Sequence, residues 1–549
     1  MSSNARPTNT DPGHKDGREV EWQLASTDLG AVHRWLSEHA TIDGLVLEPR
    51  TTLKILDTYL DTDDWRIHRA GFALRIRSES GKSEATLKAL RSASAAVADR
   101  RELSETLHNE ASESIRQSTG PVGTRVQAVS GARALVPLFE VRTSRRRFAI
   151  RQENEGRQLG EIALDGTVIS RPDGEPRTSM QRVEVEALTE THEPLLSLVK
   201  SLRNNCALEA ASESKYSQGL KSVGLAPAPA PVFAPTTVDR SMTLAEVALA
   251  NLRRYLSDWN LHEPGARLGD DPEELHDLRV AGRRLEAVLR QFRSSLPDAF
   301  LRIRPTLKAV LRALGEVRDL DVALGELESF CRELPRSERE SAGPLKQHLL
   351  RERSRARAHM ISVLDSVWVQ KSLLEWTALL AEPSEALKQA SPERAISVVP
   401  EMIRRRYRKV RKGADLLRSD SPAEAYHQVR SQVKKLRYAL EAISTIYGKP
   451  ADDMLRALRR WQERLGVQQD AAMAGRRLRT LAGAPAPDMP PETLFLMGRL
   501  AEHHAGASER ACRLQSKSYR KVRDRYRRMR PKLKDAAAHD PPSPARSGP

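Results

Sequence analysis

One ten-residue pattern occurs twice in this chain, and it constrains the fold more than any other feature. His276-Asp277-Leu278-Arg279-Val280-Ala281-Gly282-Arg283-Arg284-Leu285 returns as His427-Gln428-Val429-Arg430-Ser431-Gln432-Val433-Lys434-Lys435-Leu436. The histidine, the first arginine, the basic pair and the closing leucine all recur at one offset, 427 − 276 = 151. The offset holds further along, where Leu314-Gly315 with Asp319 becomes Leu465-Gly466 with Asp470. One offset kept over roughly forty residues marks a duplicated unit.

Each copy fits a helix. At 100° per residue, His276, Arg279 and Arg283 fall within about 60° of one another, while Leu278, Ala281, Leu285, Val288 and Leu289 lie opposite. In the second copy His427, Arg430, Lys434 and Tyr438 form one stripe, opposed by Val429, Leu436, Ala439 and Leu440. A merely solvated face would scatter its charges and vary their signs. A repeated His-x-x-Arg-x-x-x-basic-basic stripe points instead to a face that holds an anion.

The charge balance locates that anion. Residues 1–225 hold 31 Lys and Arg against 32 Asp and Glu, and residues 226–549 hold 59 against 41. The whole excess therefore lies in the half with the repeat, which should attract a polyanion: nucleic acid, a phosphate polymer or an anionic membrane surface. No apolar run reaches the ~20 residues of a membrane span, and the polar N-terminus has no signal-peptide core, so a cytoplasmic protein is expected. Cys206, Cys331 and Cys512 are too far apart for a metal motif and suit a reducing compartment.

Upstream of the repeat the period changes to two. Glu19-Val20-Glu21-Trp22-Gln23 places both carboxylates and Gln23 on one face of a strand. A short helix is expected over 31–39. Further strands follow at Thr58-Tyr59-Leu60-Asp61-Thr62, Gly71-Phe72-Ala73-Leu74-Arg75-Ile76-Arg77, Thr86-Leu87-Lys88, Arg100-Arg101-Glu102, Arg145-Arg146-Arg147-Phe148, Ile162-Ala163-Leu164-Asp165 and Val183-Glu184-Val185-Glu186. A half-exposed sheet also alternates in this way. Here, however, acidic pairs sit on the first and late strands and basic pairs on the middle ones. A closed barrel with a polar interior would bring the two sets together. Paired carboxylates suit a hard divalent cation, and Arg and Lys suit phosphate oxygens.

These motifs resemble the CYTH family of triphosphate tunnel metalloenzymes: the opening Glu-x-Glu, Tyr-x-Asp-Thr, Leu-Arg-Ile-Arg, Thr-Leu-Lys, the late Glu-x-Glu and Ser214-Lys215-Tyr216-Ser217 occur in order over 18–224. The resemblance implies an eight-stranded antiparallel β-barrel whose tunnel binds triphosphates with Mg²⁺ or Mn²⁺. It implies metal roles for Glu19, Glu21, Glu184 and Glu186, with Asp165 a further candidate. It implies triphosphate contacts for Arg75, Arg77, Lys88, Arg145, Arg147 and Lys215, with Glu19, Glu21, Arg75, Arg77 and Lys88 at the catalytic centre. The sequence departs from the family once. The family opens Glu-x-Glu-x-Lys, and the last position here is Gln23, which removes a cation.

A Pro/Ala-rich linker is expected over 225–237, between tails over 1–17 and 535–549. Residues 238–534 are helical in pattern, with a start at Ser241-Met242-Thr243-Leu244-Ala245-Glu246, another after Asp271-Pro272-Glu273-Glu274, breaks near Pro297, Pro335, Pro383, Pro422 and 483–491, and a stop at Pro531. This half resembles the CHAD domain, built from two four-helix repeats. The carriers are the two His-x-x-Arg stretches, Leu314-Gly315-x-x-Arg318-Asp319 and Lys434-Lys435-Leu436-Arg437-Tyr438. The resemblance implies a groove that binds inorganic polyphosphate through His276, Arg279, Arg283, Arg284, His427, Arg430, Lys434, Lys435, Arg437 and Tyr438. It also brings an expected association with polyphosphate granules. Histidine, with an ordinary pKa of about 6.5, would add pH-sensitive contacts.

The fold class expected is thus α+β multidomain, a barrel followed by an all-α domain. Two functions follow: metal-dependent hydrolysis of inorganic triphosphate or a related triphosphate beside polyphosphate binding, or polyphosphate binding alone with a tunnel disabled by Gln23. Nucleic acid is the least favoured partner, because nothing resembles a helix-turn-helix or zinc module and aromatics for base stacking are few.

Overall fold

A computed structural model describes residues 14–90, 98–109, 111–131, 133–153, 156–189, 193–227, 237–383, 387, 392–418, 420–483 and 489–538, without the side chains of 14–19, 98–101 and 534–538. The chain divides into two compact units, Met1–Ala230 with Arg267–Asp270, and Pro231–Ala266 with Asp271–Pro549. The first is built on an antiparallel sheet and the second is helical, so the chain is α+β.

The sheet comprises β1 (His14–Ala25), β2 (Thr41–Ile42), β3 (Leu45–Asp61), β4 (Phe72–Glu79), β5 (Lys82–Ala89), β6 (Ala98–Leu107), β7 (Val136–Gln152), β8 (Gln158–Ser170), β9 (Pro176–Ala187) and β10 (Glu209–Ala210). Strand order is β10-β1-β6-β5-β4-β3-β7-β8-β9, with β2 on β3 and a further pairing of β1 with β9. Ten strands appear where eight were expected. The additions are β2 and β10, two residues each, too short to leave a hydrophobic period in the sequence. β1 begins at His14, inside the expected tail, because its backbone pairs with β6 from His14↔Glu105 to Glu21↔Ala98. Residues 20–25 of β1 also pair with β9, from Val20↔Ala187 to Ala25↔Arg182. The β4–β5 hairpin turns on Ser80 and Gly81, both at positive φ, the backbone a two-residue turn requires.

Period two sorts the side chains. Trp22, Leu24, Ile162, Leu164, Val183 and Val185 bury on one face, against α1 (Leu29–Glu38) and α5 (Glu193–Asn205). Leu74, Ile76, Leu87 and Leu103 bury similarly beneath α3 (Ser112–Gln117) and α4 (Pro121–Ser130). Each such side chain contributes about 1.5–3 kcal/mol, which fixes the register. The opposite parity then carries Glu21, Gln23, Arg75, Arg77, Lys88, Arg145, Glu184 and Glu186. A one-turn helix, α2 (Arg66–Arg69), follows β3. The last helix of the unit, α6 (Lys215–Ser222), is capped by Ser214, whose hydroxyl accepts from the Ser217 N–H. Gly219 lets α6 lie on Phe139, since a Cβ there would come within 2.2 Å of the ring.

The second unit runs α7 (Leu244–Leu268), α8 (Pro272–Gln291), α9 (Asp298–Leu301), α10 (Arg304–Glu333), α11 (Arg336–Arg339), α12 (Gly343–Asp365), α13 (Val367–Ala381), α14 (Ala395–Leu416), α15 (Ala423–Glu441), α16 (Ser444–Tyr447), α17 (Lys449–Gly483) and α18 (Pro491–Ala538). Its starts follow the sequence signals. Thr243 and Glu246 form a reciprocal capping box before α7, and Asp271 caps α8 by accepting from Glu273 N–H. Pro297, Pro335 and Pro422 are N-caps. Pro531 does not stop α18, which continues to Ala538. Met529 and Leu533 on either side are buried, and their packing offsets the roughly 3 kcal/mol of an internal proline. Among the described residues no helix is long and apolar enough to cross a membrane. The three cysteines are unbridged.

Candidate functional site

The charged parity of the sheet lines a cavity of about 240 Å³. Its walls include Glu21, Gln23, Arg75, Arg77, Lys88, Arg145, Glu184, Glu186 and Lys215. Nine residues of β1, β4, β5, β7, β9 and α6, distant in sequence, thus meet in one place. Arg147 and Asp165 do not line it. Arg147 pairs with Glu161 at 3.5 Å, and Asp165 lies fully buried behind the wall. The backbone of Glu19 lies on β1, and its side chain is outside the described residues.

The cavity is polarised. At one side Arg145 forks onto Asp165 at 2.8 and 2.7 Å and reaches Glu184 at 2.6 Å. Lys215 donates to the same two carboxylates, at 2.5 and 2.9 Å. Burial alone would raise the Glu184 pKa, yet Lys215 and Arg145 hold it well below the ordinary carboxylate range. A second anchor lies under β4, where Arg77 forks onto buried Asp57 at 2.7 and 2.9 Å and Arg75 lies 3.6 Å from it. Isolated ions lose several kcal/mol on burial, so such pairs hold the cations in place more than they add stability.

The other side is acidic. Glu21 stands opposite Glu186 in the β1–β9 register, and Glu186 stands opposite Glu161 in β8–β9. Like charges directly across strands repel. Burial, then Glu21, then Glu102 push the Glu186 pKa up. Lys88 reaches Glu21 at 3.3 Å and Glu102 at 3.6 Å. Among the described residues no three histidine, cysteine or carboxylate side chains form a ready-made metal cluster.

Gln23 is wired into both sides. Its Nε2 donates to Glu21 at 2.6 Å, and its Oε1 accepts from Arg182 at 3.3 Å. Arg182 is buried and also donates to the Glu213 carbonyl and to Gln218. A cation thus stands next to the position where the motif lysine is missing. Gln23→Lys would set an ammonium beside that guanidinium, a like-charge contact of about 4 kcal/mol at 4 Å and an effective dielectric near 20. Turnover in Gln23→Lys is therefore expected to stay within about threefold of the unaltered chain, or to fall. A tenfold gain in steady-state rate would show that the amide weakens the site. Arg182 and Glu102 were not among the sequence candidates. Arg182 is in phase with Glu184 and Glu186, and that parity was the available signal.

In the helical unit the two motif copies meet, because α8 packs on α15. Leu278, Ala281 and Leu285 of α8, and Val429, Val433 and Leu436 of α15, turn into the core. Arg279 lies over Gly315 and Arg430 over Gly466. A Cβ on either glycine would come within 3.5 or 3.3 Å of the guanidinium. This explains why Leu-Gly recurs with the stripe. The Nε–H groups of Arg279, Arg283 and Arg430 are buried without a partner among the described residues. Arg430 reaches Gln469 through Nη1, at 2.8 Å. His276 is half-buried and His427 exposed.

Four of the ten groove candidates are engaged differently. Arg437 and Arg284 turn to Glu441, at 3.1 and 3.9 Å, and Arg284 also lies over Tyr255. Tyr438 is buried beneath Lys434 and Arg437, whose charged groups stand 5.6 and 4.6 Å from its ring. Lys435 looks away, toward Arg290, Arg406 and Lys409. Burial and then Arg283, Arg430 and Arg279 push the Lys434 pKa down to about 7.

Residues 35–220 match the CYTH domain family, and residues 250–479 match the CHAD domain family. The chain is a CYTH–CHAD domain protein. The CYTH match begins after β1, so Glu21 and Gln23 precede it. The CHAD match ends within α17, before α18. Among solved structures, the CHAD domain from the plant Ricinus communis is 26% identical, covering 53% of this chain and 96% of that one, with a TM-score of 0.44. PptA from Streptomyces chartreusis is 19% identical, covering 51% and 100%, with a TM-score of 0.39. HpAC1 from Hippeastrum, described as revealing a dominant triphosphatase activity, is 18% identical, covering 38% and 97%, with a TM-score of 0.29. No curated protein matches the chain.

Proposed function

We propose that the CYTH domain hydrolyses a small triphosphate, foremost inorganic triphosphate, and that the CHAD domain binds inorganic polyphosphate. The observation that carries the first part is the polarity of one cavity. Arg77, Arg145 and Lys215, anchored on Asp57, Asp165 and Glu184, line it together with the facing carboxylates Glu21 and Glu186, and Arg75 lies between Asp57 and Glu102. The double pairing of β1, with β6 and with β9, supports closure of the sheet into a tunnel of eight main strands. A volume of about 240 Å³ favours an inorganic chain over a nucleotide, since pockets for larger organic ligands run to roughly 300–1,000 Å³.

The acidic side fits a hard divalent cation. Its donors are carboxylate oxygens, and Glu21, Glu186 and Glu102 repel one another there, with Lys88 near Glu21 and Glu102 and Arg75 3.6 Å from Glu102 as cationic neighbours. Mg²⁺ commonly binds through one or two carboxylates plus substrate phosphates, so Glu21 and Glu186, with Glu19 on the same parity of β1, would suffice. Mg²⁺ or Mn²⁺ there would neutralise phosphate oxygens during attack by water. Asp165 and Glu184 act instead as anchors, because Arg145 and Lys215 already occupy them. Arg75, Arg77, Arg145 and Lys215 hold the chain in line and stabilise the charge that develops on its oxygens.

For the CHAD domain the order long helix, motif helix, one-turn helix, long helix occurs as α7–α10 and again as α14–α17. It supports two four-helix repeats, with α12 and α18 as the fourth helices. Arg279, Arg283, Arg430 and Lys434 then line one shared groove, with His276 and His427 at its edge.

The deciding experiment is phosphate release from inorganic triphosphate by the full chain with Mg²⁺ or Mn²⁺, beside Glu21→Ala and Glu186→Ala. Release that depends on metal and falls at least a hundredfold in both variants is expected. Metal-independent release, or none, overturns the enzymatic part and leaves a phosphate-polymer binder.

The depressed Lys434 pKa adds a pH prediction. Free Lys434 loses its proton near pH 7, and a bound polyanion restores it, so binding takes up a proton above that pH. Polyphosphate affinity should fall as pH rises from about 6 to 9, by up to about tenfold per unit from this one proton. Lys434→Met should flatten the profile. The stability sign is opposite: the unfolded chain binds more protons between about 7 and the ordinary lysine value, so stability rises with pH there.

A further inference from the structure

The charge of the CHAD half does not sit on the helices that carry its motif. α8 holds four Lys and Arg against four acids, and α15 four against two. α14 holds seven against two, and residues 517–532 of α18 nine against one. These two stretches supply most of the excess. The stretch in α18 lies beyond the residues that match the CHAD family.

The two helices form one surface. Tyr407 of α14 stacks on Tyr526 of α18, ring centroids 3.5 Å apart, and the Tyr519 hydroxyl donates to Asp415 at 2.6 Å. Buried tyrosines thus pin the seam, and both helices carry exposed cations: Arg405, Arg408 and Lys409 on α14, Arg523, Arg527 and Arg530 on α18. None of these six is in a salt bridge with a described residue. The surface also reaches the two motif helices. On one flank of α14, Arg406 and Lys409 face Lys435 of α15 and Arg290 of α8. On the other, Arg404 and Arg408 face Tyr526 and Arg530 of α18.

We infer that this is a track that continues the groove, carrying a linear polyphosphate chain from α8 and α15 over α14 onto α18, so that the domain selects long chains over short ones. The inference rests on the groove being a polyphosphate site. Crossing two helix spacings covers about 20 Å, and the basic run of α18 adds about 24 Å at 1.5 Å per residue. A short chain fills the groove alone. Tyr407, Tyr519 and Tyr526, the aromatics among the described residues of α14 and 517–532, are buried and offer no face for base stacking, which favours a chain of bare phosphates over single-stranded nucleic acid.

The test compares a chain of about 10 phosphates with one of about 100, each titrated against the full protein over a salt series, because the salt slope counts phosphates contacted and is insensitive to the number of overlapping positions on a long chain. The unaltered protein should show a steeper slope for the long chain. Arg405→Ser/Arg408→Ser/Arg523→Ser/Arg527→Ser should keep short-chain affinity within twofold, which also shows that it folds. It should bind the long chain at least tenfold more weakly, with the slope lowered by about 3, at 0.7–0.9 per charge. Arg279→Ser/Arg430→Ser should weaken both chains. Equal slopes for the two chains in the unaltered protein, or equal losses in the four-site variant, overturn the track and leave the groove standing. Failure to bind either chain overturns both. Duplex DNA held as tightly as the long chain at matched salt overturns polyphosphate as the occupant.

Discussion

Arg145→Ala is expected to lower the stability of the CYTH domain by about 3–5 kcal/mol and to abolish its turnover, because it leaves two buried carboxylates to one lysine. Arg145 makes three short contacts, two to Asp165 and one to Glu184, and Lys215 alone cannot reproduce them. The effect should be larger than for exposed arginines such as Arg142, whose pair with Glu140 is partly solvated and worth about 1 kcal/mol or less. Arg145→Lys keeps the charge but loses the fork, and should fall between the two. Denaturant unfolding of the full chain, followed beside phosphate release, checks this. An unchanged unfolding midpoint in Arg145→Ala would contradict the anchoring role. The same network sets an acid limit. Glu184 and Asp57 are held below the ordinary carboxylate range, so their contribution is present at neutral pH and is lost as pH falls toward their lowered values.

Arg279→Ala/Arg430→Ala is expected to weaken polyphosphate binding by at least a hundredfold and to reduce the salt slope by about 1.5, since each removes one phosphate contact worth 0.7–0.9 in slope. The pair is chosen because each arginine lies over a glycine of the following long helix. Neither forms a salt bridge with a described residue, and Arg430 also reaches Gln469. Arg284→Ala and Arg437→Ala have the same formal charge change and should matter less, because Glu441 already holds both side chains. Equal losses from the two double variants would mean that only net charge counts, and would remove the groove from the account.

The contrast between these arginines shows what the sequence could convey. Parity placed Glu21, Arg75, Arg77, Lys88, Arg145, Glu184 and Glu186 on one face of a sheet, and the helical period placed Arg279 and Arg283 opposite Leu278 and Leu285. Both follow from local geometry alone. Arg283-Arg284 and Lys434-Lys435 read as equivalent basic pairs, yet Arg283 and Lys434 lie near each other, while Arg284 turns to Glu441 and Lys435 toward α14. That split depends on helices far away in sequence. Asp57 and Arg182 escaped for a related reason: each is given its role by a partner across strands. Gln23 looked like a lost charge because its neighbour Arg182 was invisible without the β1–β9 pairing. Pro531 looked like a stop because propensity was the only term in view, and buried Met529 and Leu533 outweigh it.

The metal site is tested by locating Mn²⁺ by anomalous scattering in crystals of the full chain soaked with Mn²⁺ and inorganic triphosphate. A peak is expected at about 2.0–2.2 Å from carboxylate oxygens of Glu21 and Glu186, with phosphate density against Arg75, Arg77, Arg145 and Lys215. A peak on Asp165 and Glu184 with Arg145 displaced, or no manganese in the cavity, would contradict it.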